Sequence, residues 1–125
     1  MADKTFRLDV VAPDAALYSG DVTLMVAQTT VGQIGIMATH EPMLGELAPG
    51  GCVVLTDADG TRKAMAVQGG FLSVTADTVT VLAEAAQFSE DIDVAAEQAV
   101  LESADEGSEE FLRAKSRVRA VEAVS

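Results

Sequence analysis

The chain has 125 residues, enough for one domain with a small appendage, and it carries a formal net charge of −12 at pH 7. This charge excludes nucleic acid as a natural partner, because binding it depends on Lys and Arg neutralising phosphates, and it disfavours an anionic lipid surface. The single cysteine, Cys52, excludes an intramolecular disulfide and a cysteine-rich zinc site, and its apolar neighbours favour an inert, buried thiol over a reactive one.

The start of the chain does not have the pattern of an export signal. Lys4, Arg7 and Asp9 interrupt any apolar segment, so no signal peptide is predicted. No run of the sequence approaches the roughly 20 apolar residues that a membrane span requires. We therefore expect a protein of a reducing compartment that contacts a membrane only through partner proteins.

Between Phe6 and about Ala86 the sequence consists of short, β-branched runs separated by turn residues. In the first run Phe6, Leu8 and Val10 alternate with polar residues, the period of two that is typical of a half-buried strand. Asp and Gly tolerate the backbone of tight hairpins. The predicted turns are Pro13-Asp14, Ser19-Gly20-Asp21, Asp57-Ala58-Asp59-Gly60, Gly69-Gly70 and Ala76-Asp77. The pattern predicts a mainly β fold, an N-terminal antiparallel β-sandwich of about ten short strands over residues 1–87.

After this region the period changes to that of a helix, and Asp91 or Asp93 is placed to cap its start. The apolar stripe of the first helix comprises Ile92, Ala95, Ala96, Ala99 and Val100. A break at Asp105–Ser108 precedes a second, brief helix. Its apolar side comprises Phe111, Ala114, Val118 and Val121. Residues 88–125 are thus predicted to form a C-terminal α-helical hairpin, whose thin, Ala-rich stripes should dock on another surface or move.

The tail is divided by charge. No Lys or Arg occurs between Ala64 and Leu112, whereas half of the eight basic residues fall in the second helix. These residues are Arg113, Lys115, Arg117 and Arg119. They fit a solvated helix whose cations favour the C-terminal end of its dipole. The alternative is a surface that meets an acidic partner or the chain's own acidic first helix.

Candidate catalytic groups are few. His40 is the single histidine, and neither a nucleophile-elbow motif nor a second histidine at metal-binding spacing accompanies it. We interpret it as a structural or interface residue, with partner contact as the alternative and catalysis third. The segment Gly32–Gly35 lacks the Gly-Lys-Ser/Thr ending of a phosphate loop, and Gly69-Gly70 precedes a strand. No catalytic residue and no metal ligand is predicted.

One loop carries a family resemblance. The stretch Val31–Leu44, VGQIGIMATHEPML, resembles the N-terminal domain of the epsilon subunits of F-type ATP synthases, where Gly-x-Ile/Leu-Gly-Ile/Leu is followed by His-x-Pro-hydrophobic-Leu. The blocks Leu8–Gly20, Val67–Val74 and Val79–Glu84 match further family segments in the same order. The resemblance covers roughly residues 6–100 and implies a β-sandwich rotor subunit that is not itself catalytic.

The resemblance also implies partners. Contact with the ring of proton-carrying c subunits is implied for Gly32, Gln33, Ile34 and Gly35. Contact with the gamma subunit is implied for His40, Glu41, Pro42, Met43 and Leu44. The chain would link the gamma shaft to the ring during proton-driven ATP synthesis, at the cytoplasmic face of a bacterial plasma membrane. The cations of the second helix would approach an acidic segment of a catalytic beta subunit and restrain ATP hydrolysis.

The residues of this loop fit such a role. Gly32 and Gly35 allow a sharp turn and close approach to a partner. The apolar residues Ile34, Ile36 and Met37 would then form an exposed interface patch. The alternative is that they fill one end of the sandwich.

A nucleotide is not expected in the tail. Some family members bind ATP through an Ile/Leu-Asp-x-x-Arg-Ala motif, and here Ile92 and Asp93 match but Ala96 and Glu97 replace the arginine and alanine. No cofactor is therefore predicted, although the arginines of the second helix are alternative cations for a phosphate. Considered without the family, the residues also fit a free-standing sandwich that binds a small ligand or a regulatory protein, with an enzyme third.

Overall fold

The structure, a computed structural model, describes residues 4–38, 41–75 and 77–124. Within these residues nine strands precede two α-helices, and a single 3₁₀ turn, Ser89–Asp91, joins the two regions. The strands are β1 Phe6–Ala12, β2 Ala15–Thr29, β3 Gly32–Ile36, β4 Met43–Glu46, β5 Cys52–Asp57, β6 Arg62–Gln68, β7 Phe71–Val74, β8 Thr78–Leu82 and β9 Ala85–Phe88. The helices are α1 Val94–Ser103 and α2 Glu109–Ala123. The predicted combination of a mainly β domain and a C-terminal helical hairpin is confirmed.

The strands form one sheet that folds over a common core. Their order is β4-β7-β8-β1-β2-β5-β6-β9, and β3 pairs with β2 off this path. Among the described strands every pairing is antiparallel except that of β1 with β8, which is parallel. This one pair departs from the antiparallel arrangement predicted for the sandwich. No local turn sets its direction, because β8 meets β1 only after the chain has passed through six other strands.

The longest strand, β2, removes one predicted turn. Its 15 residues run through Ser19-Gly20-Asp21, which pair with Asp9, Leu8 and Arg7 of β1. The turn lies earlier, between β1 and β2 at Pro13-Asp14 as predicted. Gly20 serves packing rather than chain reversal, since a Cβ there would lie 3.1 Å from the Tyr18 hydroxyl. A small residue in a strand often marks such close packing.

The core is aliphatic. The inward positions of the alternating strands hold buried residues, many of them at most 1% exposed. The largest of them are Leu8, Met25, Ile36, Leu55, Met65 and Leu72. Each such side chain contributes about 1.5–3 kcal/mol by burial, which makes this layer the main source of stability.

The helical tail begins at two capped ends. Asp93 accepts a hydrogen bond from Ala96 N at 3.2 Å, and Ser108 accepts one from Phe111 N at 3.1 Å. Asp93 is one of the two caps predicted for the first helix, and in both helices the side-chain oxygen satisfies a free N–H group of the first turn. The predicted brevity of the second helix is wrong, because α2 has 15 residues against ten in α1.

The tail docks on the sandwich through α2. Four side chains of α2 are buried: Ala114, Ser116, Val118 and Ala120. Ser116 and Ala120 face the sheet, since Ser116 bonds to Val67 of β6 and Ala120 packs with Cys52 of β5. The first helix, all of whose residues are described, buries none of them and contacts α2 instead. Small side chains on α2 permit a close approach, so the hairpin is held by one helix only.

The turn between β6 and β7 depends on glycine at Gly70. Its φ is +109°, and a Cβ there would lie 1.9 Å from the carbonyl oxygen of Leu82. That oxygen belongs to the backbone and cannot rotate away. Gly60 has a similar φ of +92° but no heavy atom within 4 Å of an added Cβ. An added Cβ would cause backbone strain alone at Gly60, but backbone strain and a steric clash at Gly70.

We expect Gly70→Ala to lower the free energy of unfolding by more than about 3 kcal/mol, because strain and a backbone clash add. The matched variant Gly60→Ala carries the strain alone and should lose about 1–2 kcal/mol. Urea titration followed by circular dichroism measures both. Equal losses in the two variants would show that the contact with Leu82 does not matter.

Candidate functional site

The predicted ring-contact segment forms β3 and the hairpin turn before it. Gly32, with φ +126°, starts the strand, and Gly32, Gln33 and Gly35 are exposed while Ile34 is half-buried. The turn residue Val31 is 93% exposed. The segment thus presents polar backbone and one apolar side chain to solvent.

The apolar patch predicted for this loop is only partly present. Met37 is 66% exposed, as an interface patch requires, but Ile36 is 1% exposed and belongs to the core. Ile34 packs partly against that core. The prediction is wrong for Ile36, because its inward position in β3 opposite Met25 places it between the sheet layers. Val31 replaces it as the exposed apolar residue of the hairpin.

The predicted gamma-contact segment leads into β4. His40 lies outside the described residues, whereas Glu41 and Pro42 are exposed and Met43 is half-buried. Leu44 points outward from β4 and is 75% exposed. The segment therefore places a large apolar side chain on the surface immediately after its proline.

Leu44 belongs to a wider apolar surface. Phe71 and Leu82 pair across β7 and β8 and are 49% and 51% exposed on the outer side of the sheet. Glu46 pairs with Phe71 two residues after Leu44, so Leu44 lies diagonally next to the phenylalanine. We call Leu44, Phe71 and Leu82 the outer apolar face. Sequence analysis missed Phe71 and Leu82, although the period of two places both opposite to the buried Leu72 and Val81.

The hairpin and the outer apolar face adjoin each other. Thr30 N donates to Glu46 O at 3.0 Å, which ties the hairpin turn to β4. A groove of about 660 Å³ runs along the join and includes Thr30, Glu46, Phe71 and Leu82 in its lining. Exposed apolar residues that cluster in this way usually mark an interface.

Three of the four cations of α2 have ion-pair or hydrogen-bond partners within the chain. Arg117 Nη1 lies 2.9 Å from Glu97 Oε1 of α1, and Arg113 Nη2 lies 2.9 Å from Glu109 Oε1 of its own helix. Arg119 Nη1 donates to Gly50 O at 3.5 Å. Lys115 lies beside the same glycine. The pair with Glu97 favours the interpretation in which the basic helix meets the chain's own acidic helix.

Sequence analysis missed Ser116. Its hydroxyl is fully buried between α2 and the sheet, where it donates to Gly51 O and accepts from Val67 N at 3.1 Å. A serine among arginines gives no apolar signal, and Ser116 lies about 200° around the helix from both Ala114 and Val118, so the predicted apolar stripe does not include it.

Cys52 lies under α2. Its thiol packs in a small buried cluster with Ala64, Ala66 and Ala120. Burial raises the pKa of the thiol against the opposing effect of Arg119. A protonated, covered thiol is a poor nucleophile, in agreement with the inert interpretation.

Within residues 4–38, 41–75 and 77–124, no group of three or more His, Cys, Asp or Glu side chains is arranged to hold a metal ion. No helix in this part is long and apolar enough to cross a membrane.

Comparison with known proteins matches the sandwich to a family. Residues 5–89 fit the model of the ATP synthase Delta/Epsilon chain β-sandwich domain. The ATP synthase epsilon chain of Rhodococcus opacus is 56% identical over 98% of both chains, and that of Nocardia farcinica is 48% identical over 98% of this chain and 94% of its own. The chain belongs to the ATP synthase epsilon family. This confirms the resemblance and the prediction of a non-catalytic subunit of a larger enzyme.

Two solved structures contain chains with the same fold. A chain in the cryo-EM structure of Euglena gracilis mitochondrial ATP synthase, OSCP/F1/c-ring in rotational state 1, has a TM-score of 0.71 at 23% identity, covering 98% of this chain and 82% of its own. A chain of the Tetrahymena thermophila mitochondrial ATP synthase central stalk and c-ring has a TM-score of 0.62 at 17% identity, with full coverage of both. At these identities the likeness extends to the fold.

The Glu97–Arg117 pair should hold the two tail helices of this epsilon chain together. Its side chains are 16% and 31% exposed, so solvent screens the pair less than a surface pair. We expect Glu97→Gln to lower the free energy of unfolding by about 0.5–1 kcal/mol, and a double-mutant cycle with Arg117→Gln to show coupling of that size.

The control is the other pair of α2. Glu109 is 88% exposed, so Glu109→Gln should cost no more than a few tenths of a kcal/mol. Urea titrations at low and high salt give both values. A cycle for Glu97 and Arg117 that is additive within error would contradict a structural role for the pair.

Proposed function

We propose that this chain couples the gamma shaft to the c-ring in the central stalk of a proton-driven ATP synthase. The observation that carries the proposal is the pair of adjoining exposed apolar surfaces, the hairpin and the outer apolar face, on a chain with a net charge of −12. A strongly charged protein that nevertheless exposes clustered leucine, valine and phenylalanine is suited to permanent partners. The complexes that contain the two structural relatives, with their F1, central stalk and c-ring components, support the same role.

The hairpin is assigned to the ring. Gly32, Gln33 and Gly35 expose backbone without bulky side chains, so a partner can approach the strand closely. Val31 and Met37 flank them as exposed apolar residues. This combination suits contact with polar loops that lie above apolar membrane helices.

The outer apolar face is assigned to the gamma subunit. Glu41, Pro42, Met43 and Leu44 lead onto it, and Phe71 and Leu82 extend it across two further strands. Phenylalanine is enriched in the buried centre of protein interfaces, so Phe71 is the expected anchor of this face. His40 completes the proposed contact segment by its place in the sequence.

The tail is assigned a regulatory role. When α2 is docked, its arginines bond to groups of the same chain, notably Arg117 to Glu97. Contact with an acidic segment of a beta subunit would require α2 to leave the sandwich and exchange these partners. We therefore assign the docked state to free rotation in both directions and a released state to the restraint of ATP hydrolysis.

The chain is proposed to act without a nucleotide or other cofactor. Ala96 stands at the position of the phosphate-binding arginine, and the carboxylate of Glu97 already occupies Arg117 at 2.9 Å. An internal carboxylate thus takes the cation that a phosphate would need. We place the subunit at the cytoplasmic face of a bacterial plasma membrane, attached through its partners alone.

We expect Leu44→Asp and Phe71→Asp to weaken binding to the isolated gamma subunit by tenfold to hundredfold, roughly the effect of losing one or two apolar anchors. Val31→Asp should instead weaken binding to the detergent-solubilised c-ring. Leu24, 36% exposed on β2 and part of neither surface, supplies the control variant Leu24→Asp. Isothermal titration with each partner distinguishes the two surfaces.

The wild-type chain provides the decisive comparison. Failure of the unmodified protein to bind either gamma or the c-ring would overturn the proposed coupling role. Capture of a small ligand in its place would favour the free-standing sandwich. Loss of gamma binding in Leu24→Asp as well would show that the outer apolar face is not the specific contact.

A further inference from the structure

The turn between β4 and β5 lies between α2 and β2. Gly51 N donates to Ala48 O at 3.3 Å, and Gly50 at the third position of the turn has φ +79°. On one side, a Cβ at Gly50 would lie 3.3 Å from Leu112 of α2. On the other side, a Cβ at Gly51 would lie 3.0 Å from both the Cβ and Oε1 of Gln28. The turn is therefore in contact with the tail and with β2 at once.

Ser116 occupies an open rung of the sheet. The β5–β6 ladder pairs Cys52 with Ala66, so Gly51 and Val67 are the next residues along the two strands. They do not bond each other directly. The hydroxyl of Ser116 instead donates to Gly51 O and accepts from Val67 N at 3.1 Å. One side chain of the tail thus completes the hydrogen bonding of the sheet.

Gln28 connects this rung to the hairpin. Its Oε1 accepts from Cys52 N at 2.7 Å, and its carbonyl accepts from Ala48 N at 2.9 Å. In the β2–β3 ladder Gln28 is paired with Gln33, within the segment assigned to the ring. A movement of the β4–β5 turn must therefore change the hydrogen bonds of the residue that supports β3.

We propose that docking of α2 and the conformation of the β2–β3 hairpin are coupled through Ser116, Gly51 and Gln28. When α2 is docked, the hydroxyl holds Gly51 and Val67 apart and Gly51 rests against Gln28. When α2 leaves, both backbone groups lose the hydroxyl as a partner and open to solvent, and direct pairing between them then continues the β5–β6 ladder and draws Gly51 toward β6. Gln28 then loses its close neighbour, and β3 loosens.

This inference deepens the proposed function by naming a regulation of its ring-contact segment, and it rests on that function only for the identity of the partner. Coupling of this kind is reciprocal. A partner that rigidifies the hairpin favours the docked tail, and release of the tail changes how the hairpin meets that partner.

The test is amide hydrogen exchange on the full-length chain, with alkylation of Cys52 as a reporter of docking, because Ala120 of α2 covers the thiol. In Ser116→Ala we expect faster alkylation by iodoacetamide and an increase of about fivefold in the exchange rates of residues 32–36, the factor that corresponds to one ordinary hydrogen bond. Ser103→Ala is the matched control, since that hydroxyl bonds only within α1 to Ala99 O and Val100 O. It should change neither readout.

The reciprocal variant is Gln28→Ala, which leaves α2 intact. It should raise the exchange rates of residues 111–120 and speed alkylation of Cys52, and its effects should be non-additive with those of Ser116→Ala. This variant keeps the proposal testable if Ser116→Ala does not fold.

Three outcomes would overturn the coupling. Alkylation could speed up in Ser116→Ala while residues 32–36 exchange at the wild-type rate. Gln28→Ala could leave α2 unchanged, or Ser116→Ala could leave both readouts unchanged. Neither measurement uses a partner subunit, so failure here is distinct from failure of the chain to bind gamma or the c-ring.

Discussion

The pairing of β2 with three other strands is the constraint on which the remaining structure depends. Its first half pairs with β1, and its second half lies between β3 and β5. Inward residues of this one strand, Val22 and Met25, are fully buried at the centre of the sheet. Strand β2 therefore positions the β2–β3 hairpin, β5, on which α2 packs, and β1, which forms the parallel pair with β8.

Local pattern was sufficient for most of the fold. The period of two predicted the strands, Asp, Gly and Pro predicted most of the turns, and the change to a helical period with Asp91 or Asp93 as the cap predicted where the tail begins. The failures involve non-local contacts. Ser19-Gly20-Asp21 has the composition of a turn, yet pairing with β1 across the sheet keeps it extended. The parallel pairing of β1 with β8 has no local signal, since its partners are separated by about 70 residues.

The candidate site was predicted in part for the same reason. A motif located the hairpin and the segment before Leu44, because both are continuous in sequence. Phe71 and Leu82 join that surface only through strand pairing, so the sequence alone indicates no more than that they are strand residues. Ser116 is harder still. Its hydroxyl bonds to Gly51 O and Val67 N, which have no backbone partner among the described strands of the sheet. No sequence pattern shows that these two groups need a side chain to bond them.

The unequal burial of the two tail helices has a consequence for where a protease can cleave the chain. Because α1 buries none of its side chains, its opening costs little and need not disturb the sandwich. A protease would therefore meet residues 94–107 in an accessible form long before it could reach a strand. Cleavage there would cut the covalent link between the sandwich and α2, so α2 would remain on the sheet only through its own buried contacts. Limited cleavage of this kind would turn the second tail helix into a separable fragment and leave the domain that carries it intact.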